Sequence, residues 1–369
     1  MNGGPASEPA DDRPPDPHLI PDPAGTLDRH TAVGTLWRAE HGRVRCLACA
    51  HRCLLASEGR GLCKVRFAAG GQLRVPFGYT AGVACDPVEK KPFFHVHPGS
   101  VALTFGMLGC DFHCDFCQNW ITSQTLRDPA ASARLEPAQP QQLVAAARRH
   151  GARLVVSSYN EPLISAEWAV AIFREARAAG LLCAVVSNGH ATPEALDFLC
   201  PWLDACKIDL KSFNPQQYQA LGGRLEAVKE TLRSVHTRAL WLEVVTLLVP
   251  GFNDSPEELR AMARFLASIS PDIPWHLTAF HPDYQRTDTR ATRPDDLEHA
   301  ARIAQAEGLR YVYAGNRPGA VGSRENTVCP GCGSLLIERR GFAVRANRLT
   351  PRGTCPRCDT RIPGIWPAP

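Results

Sequence analysis

The sequence predicts an α/β protein whose main domain is a partial (β/α)6-type barrel. From residue 101 onward, short apolar, β-branched runs alternate with segments of helical composition, the pattern of βα units around a parallel sheet. Several helical segments begin with proline, which suits a first helical turn. Polar residues with functional side chains follow the apolar runs, as expected where barrel strands end. These observations favour a barrel over an open doubly wound sheet.

The βα units can be placed one by one along the chain. We predict strands at residues 101–105, 154–157, 181–186, 205–209, 241–248 and 275–279, with 310–313 as a candidate additional strand. We predict helices at residues 140–150, 166–179, 193–199, 225–237, 256–268 and 294–307.

Composition divides the chain into four segments. Residues 1–30 are rich in Pro, Asp and Gly and lack a basic region followed by an apolar core, so they predict a disordered tail rather than a signal peptide. Residues 31–99 form a Cys-rich N-terminal segment and residues 100–320 the barrel. Residues 325–369 form a small zinc-ribbon-like module.

Bulk composition excludes some classes of function. A chain of 369 residues with 44% hydrophobic and 21% charged residues can bury a full core. The formal net charge of +4 is too balanced to attract a nucleic acid or a membrane by whole-protein charge. No apolar run is long enough to cross a bilayer. We therefore expect a cytoplasmic protein without a membrane partner.

Cysteine, at 15 residues, is over-represented, which in a reducing compartment indicates metal ligation before disulfides. Three groups stand out: Cys46, Cys49, Cys53 and Cys63; Cys110, Cys114 and Cys117; and Cys329, Cys332, Cys355 and Cys358. No chemistry is assigned to the scattered cysteines Cys85, Cys183, Cys200 and Cys206.

The central group, Cys110-x3-Cys114-x2-Cys117, closely follows the first barrel strand. Thiolates suit iron–sulfur clusters, and three of them leave one iron of a [4Fe-4S] cluster open for a cosubstrate. S-adenosylmethionine (SAM) is a chelating candidate, since a reduced cluster can break a carbon–sulfur bond at its sulfonium. Phe116 could lie against an adenine ring. The alternative is a zinc site completed by His113.

This loop resembles a known family. Cys110-x3-Cys114-x-Phe116-Cys117 matches the radical SAM signature. Residues 109–120 resemble the AmmeMemoRadiSam system radical SAM enzymes, relatives of glycyl-radical-enzyme activases such as the pyruvate formate-lyase activating enzyme. The likeness includes residues 86–92 and covers about three quarters of the chain. It implies a radical SAM barrel with a [4Fe-4S] cluster and SAM.

The resemblance also implies roles for side chains in the loops after the strands. Glu161 would help to fix the methionine amino group, and Lys211 is suited by its charge to the SAM carboxylate. The implied cofactor contacts are Phe116, Glu161, Asn188, Asp209, Lys211 and His281.

Two positions depart from the family pattern. Tyr159-Asn160 replaces the usual paired glycines, and Val186 stands where activating enzymes place an aspartate near the ribose. Each implied contact also has a structural explanation, such as a surface charge, a turn or a loop histidine.

The C-terminal group places two Cys-x2-Cys pairs around a strand-like stretch at residues 334–344, as in a zinc ribbon. Four thiolates saturate Zn²⁺, so folding or docking is the expected role, with a rubredoxin-like iron site as the alternative. The module carries seven arginines that could contact RNA or an acidic protein. A solvated surface is favoured, since no aromatic stacking platform accompanies them. These arginines are Arg339, Arg340, Arg345, Arg348, Arg352, Arg357 and Arg361.

The N-terminal group could bind zinc or a second iron–sulfur cluster that relays electrons to the first. The long spacing between Cys53 and Cys63 suits a loop-tying site, and zinc is slightly favoured.

We expect an activase-like radical SAM oxidoreductase that abstracts hydrogen from an unidentified protein or small molecule. It would need an external electron donor such as flavodoxin or ferredoxin. Residues 89–91 have two interpretations, as lining of the barrel mouth or as a solvated charge run. Two alternatives remain open, an RNA- or cofactor-modifying radical SAM enzyme and a non-catalytic metal-binding scaffold.

Overall fold

The computed structural model describes residues 23–131 and 133–367. Most of the predicted tail, residues 1–30, lies outside this range, and its last part contains helix α1 (Pro23–Arg29). The Cys-rich segment folds into short antiparallel sheets. Its strands are β1 (Thr31–Val33), β2 (Trp37–Glu40), β3 (Arg43–Cys46), β4 (Leu54–Leu55), β5 (Phe67–Ala69), β6 (Gln72–Pro76) and β7 (Tyr79–Thr80).

The main sheet has eight strands. They are β8 (Gly82–Pro87), β9 (Val101–Gly106), β11 (Ala152–Ser157), β12 (Leu182–Ser187), β13 (Ala205–Asp209), β14 (Trp241–Leu248), β15 (Trp275–Ala279) and β16 (Val312–Gly315). The short strand β10 (Glu136–Pro137) pairs with β7 instead. The order of strands in the main sheet is β16-β15-β14-β13-β12-β11-β9-β8.

The order of these strands shows how the sheet is wound. From β9 to β16 the neighbours are parallel and follow chain order, so the sheet is singly wound rather than doubly wound. Strand β8 adds an antiparallel edge. Within the described residues β8 and β16 do not pair with each other, so the barrel stays open. The candidate strand at 310–313 is present, shifted to Val312–Gly315.

Helices connect the parallel strands. They are α2 (Trp120–Ser123), α3 (Pro140–Arg149), α4 (Ala166–Ala178), α5 (Pro193–Leu199), α6 (Pro215–Ala220), α7 (Leu225–Thr237), α8 (Pro256–Ile269) and α9 (Pro294–Ala306). Proline occupies the first turn of several helices, and the Thr192 and Ser255 side chains cap α5 and α8 by accepting from backbone N–H groups. The six predicted helices are present, and α2 and α6 were not predicted.

The sheet buries both of its faces. Along β9 and β11, Leu103 and Val155 face the helices, whereas Ala102 and Leu154 face a second apolar cluster that contains Phe93. This alternation follows from the two-residue period of a strand. Burial on both faces explains why the sequences of these strands are nearly continuous apolar runs.

The C-terminal module consists of β17 (Thr327–Val328), β18 (Leu335–Arg340) and β19 (Ala343–Asn347). The single strand-like stretch predicted at 334–344 is therefore a hairpin whose turn contains Phe342. The module packs against β16 through Tyr313. Arg339 is buried and donates to the Phe94 carbonyl oxygen and to Glu89, so it does not contribute to a solvated basic surface.

In the described part of the chain, no helix combines the length and apolarity needed to span a membrane.

Candidate functional site

The central cysteines lie on a loop that begins directly after β9. Gly109 has φ +90°, and a Cβ there would lie 2.8 Å from Val65 Cγ1, so only glycine fits the turn. Its N–H donates to the Thr122 carbonyl oxygen. The Phe112 N–H lies 3.4 Å from Cys110 Sγ and donates to it. These contacts fix the loop against the Cys-rich segment.

The three thiols suit a metal cluster. Cys114 is buried, whereas Cys110 and Cys117 are partly buried. Burial raises the pKa of Cys114 to about 12 and that of Cys110 well above its usual value. Ionised thiols there need a bound cation to compensate the charge, which a cluster provides. Among the described residues, no compact group of candidate metal ligands includes His113.

A cavity of about 390 Å³ opens where the parallel strands end. Cys114 and Cys117 form one side of it, and side chains from β12 to β15 form the other. Its lining residues are Lys90, Lys91, Pro92, Cys114, Phe116, Cys117, Gln118, Asn119, Ser158, Tyr159, Val186, Lys207, Asp209, Lys211, Val245, Leu247, Thr278, Asn316 and Phe342.

A cluster of three charges lies in this lining. Asp209 forms ion pairs with Lys207 and with Lys211, whose Nζ lies 2.9 Å from Asp209 Oδ2. Burial opposes ionisation of Asp209, but the two lysines lower its pKa to about 2. Burial also opposes the charge of Lys211, but Asp209 raises its pKa above the usual value. The cluster therefore carries one net positive charge beside the cysteines, which suits an anionic group on a ligand.

The ring of Phe116 is held within the cavity wall. It meets Phe252 edge to face at 5.4 Å between ring centroids, and the Arg286 guanidinium lies 5.4 Å from its centroid. Arg286 in turn pairs with Asp115 at 2.8 Å. Phe116 thus presents a positioned aromatic surface beside Cys117.

Three of the implied SAM contacts do not line the cavity. Glu161 is buried, with Oε1 accepting from Ser187 Oγ at 2.6 Å and Oε2 from Asn188 N at 2.8 Å. Burial, followed by the nearby Asp111 charge, raises the pKa of Glu161 to about 8. The Asn188 amide donates to Asp111 Oδ1 at 2.7 Å. These side chains support neighbouring loops, and their contact with SAM stays a prediction.

His281 lies at the rim of the site. Its side chain is exposed, and Nδ1 lies 3.1 Å from Nε2 of Gln118, which lines the cavity. A SAM contact through His281 also stays a prediction.

Two residues of the segment 89–91, Lys90 and Lys91, line the cavity, which agrees with the first of the two interpretations given for this segment. Lys91 Nζ lies 3.0 Å from Asp86 Oδ2 and donates to Tyr159 Oη at 3.1 Å. Tyr159, at φ +69°, also lines the cavity. A Cβ on Gly106 would lie 2.8 Å from the Tyr159 Cβ, so the two backbones pack closely. In the sequence, the feature that pointed to this group of side chains was the resemblance at residues 86–92.

The C-terminal cysteines form a compact tetrad. Their Sγ atoms all lie within 4.8 Å of one another, with 3.5 Å between Cys329 and Cys358 and 3.7 Å between Cys332 and Cys355. Tetrahedral zinc with Zn–S bonds of about 2.3 Å requires about 3.8 Å between sulfurs. Hydrogen bonds from Ser334 lower the pKa of Cys332 to about 6. The tetrad therefore fits Zn²⁺.

An open, singly wound (β/α) sheet with a three-cysteine loop after its first parallel strand defines a radical SAM type of protein. Residues 105–266 match the Radical SAM superfamily. The uncharacterized protein MJ0808 of Methanocaldococcus jannaschii is 34% identical over 328 residues, which are 88% of this chain and 96% of that protein. The chain belongs to the radical SAM superfamily.

It is also homologous to activating enzymes. The isethionate sulfite-lyase activating enzyme of Oleidesulfovibrio alaskensis is 30% identical over 136 residues, which are 36% of this chain and 43% of that protein. The match thus spans less than half of that enzyme. A domain of the pyruvate-formate lyase-activating enzyme from Bacteroides vulgatus shares 22% identity and covers 44% of this chain and 98% of its own, with a TM-score of 0.40.

Proposed function

We propose that this chain is an activase-like radical SAM oxidoreductase of the AmmeMemoRadiSam type, with a [4Fe-4S] cluster on Cys110, Cys114 and Cys117. When bound and reduced, the cluster supplies the electron that splits SAM into methionine and a 5′-deoxyadenosyl radical, which removes hydrogen from the substrate. The observation that carries this proposal is the cavity between two of these thiols and the Asp209–Lys211 pair.

The chain's own residues would bind and orient SAM. Lys211 offers a positive charge to the methionine carboxylate, and Asp209 keeps that lysine charged and in place. Phe116 offers its ring to the adenine. The volume of about 390 Å³ lies within the ~300–1,000 Å³ typical of small-molecule sites. The cavity therefore suits a ligand of this size that carries both a carboxylate and an aromatic ring.

The substrate would reach the cavity at its rim. Lys90 and Phe342 lie there, and both are exposed. A protein glycine is the substrate by analogy with activating enzymes, and a small molecule is the alternative. An external one-electron donor such as flavodoxin or ferredoxin completes the reaction.

Anaerobic reconstitution with iron and sulfide tests the proposal. The reduced protein should form 5′-deoxyadenosine and methionine from SAM, and its electron paramagnetic resonance (EPR) spectrum should change when SAM is added. Cys114→Ala should lose both properties. Cys183→Ala, which alters a buried cysteine on β12, is the matched control and should keep them. Normal SAM cleavage by Cys114→Ala would contradict the assignment.

A further inference from the structure

The N-terminal cysteine group, Cys46, Cys49, Cys53 and Cys63, lies directly behind the loop that carries the central cysteines. A Cβ on Gly109, the residue before Cys110, would lie 3.0 Å from the Cys63 carbonyl oxygen. On the other side, Cys49 forms a β-bridge with Ala191, which follows β12. The two cysteine groups are therefore separated by about one layer of packed residues.

The four N-terminal thiols converge on one region. The Cys46 N–H donates to the Cys53 carbonyl oxygen at 2.9 Å, which closes the loop between them. A Cβ on Gly61 would lie 3.7 Å from Sγ of both Cys53 and Cys63, so these two sulfurs flank the glycine. Cys46, Cys49 and Cys63 are buried. Buried thiols brought together from separate turns form a donor set for a soft metal.

Their spacing differs from that of the zinc-like tetrad. In residues 23–131 and 133–367, no three of these thiols lie within 4.8 Å of one another, whereas all four C-terminal thiols do. Tetrahedral zinc needs sulfurs about 3.8 Å apart. A [4Fe-4S] cluster holds its thiolates farther apart, because each one binds a different iron. The spacing therefore favours a cluster over the zinc ion that the sequence slightly favoured.

A buried histidine gives an independent indication of a ligand at this place. His190 is fully buried, and its Nδ1 lies 3.0 Å from Asp111 Oδ2. Its Nε2 has no hydrogen-bond partner among the described residues, although a buried polar atom normally has one. A ring nitrogen of His190, an Asp111 oxygen and Cys49 Sγ all lie within 4.8 Å of one another. Histidine beside metals is commonly oriented by a carboxylate in this way.

We propose that Cys46, Cys49, Cys53 and Cys63 bind a second [4Fe-4S] cluster and that His190 borders it. Asp111 lies between the two centres, because it follows Cys110 in the chain and contacts His190. This proposal does not depend on SAM cleavage.

The test uses the full chain with the central cysteines removed by Cys110→Ala, Cys114→Ala and Cys117→Ala. After anaerobic reconstitution this triple variant should cleave no SAM but should retain about four iron and four sulfide per chain. Its reduced form should give a [4Fe-4S] EPR signal. Adding Cys49→Ala and Cys63→Ala should remove the iron, whereas adding Cys183→Ala and Cys206→Ala should not.

Metal analysis separates the alternatives. The triple variant should contain about one zinc per chain, held by the C-terminal tetrad. Two zinc ions per chain without iron would overturn the proposal, as would a triple variant without any metal beyond the first zinc. Circular dichroism and retention of the C-terminal zinc show whether each variant is folded.

His190→Gln in the triple variant gives a second measurement. Iron should be retained while the EPR signal or midpoint potential shifts, because the surroundings of a cluster set its potential. An unchanged spectrum and potential would contradict the position proposed for the cluster.

The wild-type protein, with both clusters reduced, should show an EPR signal broadened by magnetic coupling between them. The sum of two independent signals would likewise contradict the proposed position.

Discussion

A buried ion pair between Arg66 and Glu167 joins the Cys-rich segment to helix α4, and breaking it should destabilise that segment. The side chains are 1% and 6% exposed. Arg66 Nη2 donates to Glu167 Oε1 at 2.7 Å, and Nη1 to Oε2 at 3.0 Å. Glu167 Oε1 also accepts from the Thr35 and Leu36 N–H groups. The Glu167 carboxylate therefore contacts two parts of the Cys-rich segment, residues 35–36 and Arg66.

The expected loss in free energy of unfolding follows from the Arg66 charge that remains after Glu167 is replaced. Glu167→Gln leaves Arg66 charged and buried without a counter-charge, which costs about 3–5 kcal/mol in comparable pairs. This raises the equilibrium constant for unfolding by roughly two to four orders of magnitude. The charge-free pair Arg66→Met with Glu167→Leu should recover most of this loss, because neither partner then requires a counter-charge.

Guanidinium unfolding followed by circular dichroism measures these changes, and hydrogen exchange over residues 31–99 locates them. Glu307→Gln is the matched control, because its partner Arg264 is largely exposed and such pairs contribute about 0–1 kcal/mol. A loss below about 1 kcal/mol in Glu167→Gln would refute the reasoning, as would a charge-free pair no more stable than the single variant.

Four further changes test other parts of the structure. Gly109→Ala should lower iron binding in a reconstitution assay, because its Cβ would clash with Val65 and its φ is positive; unchanged iron content would contradict this. Lys211→Met should weaken SAM binding by roughly 10- to 150-fold in calorimetry, from the ~1.5–3 kcal/mol of a charged hydrogen bond, whereas equal affinity would exclude its role. Burial lowers the pKa of His95 to about 4, so the stability it contributes is present above about pH 6.5 and lost as the pH falls towards 4. His95→Gln should flatten the dependence of melting temperature on pH in that window, and an unchanged slope would be contrary evidence. Cys355→Ser should release about one zinc per chain and lower the melting temperature, and wild-type zinc content would contradict the tetrad.

The sequence predicted the parallel strands because each one is buried on both faces and bounded by turn residues. It did not predict β8, because an antiparallel edge strand is fixed by pairing with β9 rather than by its own period. Helix α6 was also missed. Its six residues are too few to show a helical period, and its start depends on the Asn214 side chain that caps it.

Some residues of the candidate site could likewise be predicted from the sequence, and others could not. Cys114, Asp209 and Lys211 could be found because they lie where parallel strands end. Glu161 lies there too, but its carboxylate turns towards the backbone of the next loop, a direction that strand position does not determine. Tyr159 lines the cavity and has a positive φ, and Phe342 reaches the cavity from the distant C-terminal hairpin. The positions of both side chains depend on tertiary packing.

The pairing of Val96 with Ile365 has a consequence for biosynthesis. His95 Nδ1 lies 2.7 Å from the carbonyl oxygen of Pro363, 268 positions later in the chain. A nascent polypeptide on the ribosome therefore cannot complete the contacts of His95 and Val96 until residues 363–365 have been translated and have left the exit tunnel. A chain that ends before residue 363 lacks these contacts and should be cleaved faster near residues 95–96 than the full chain in limited proteolysis.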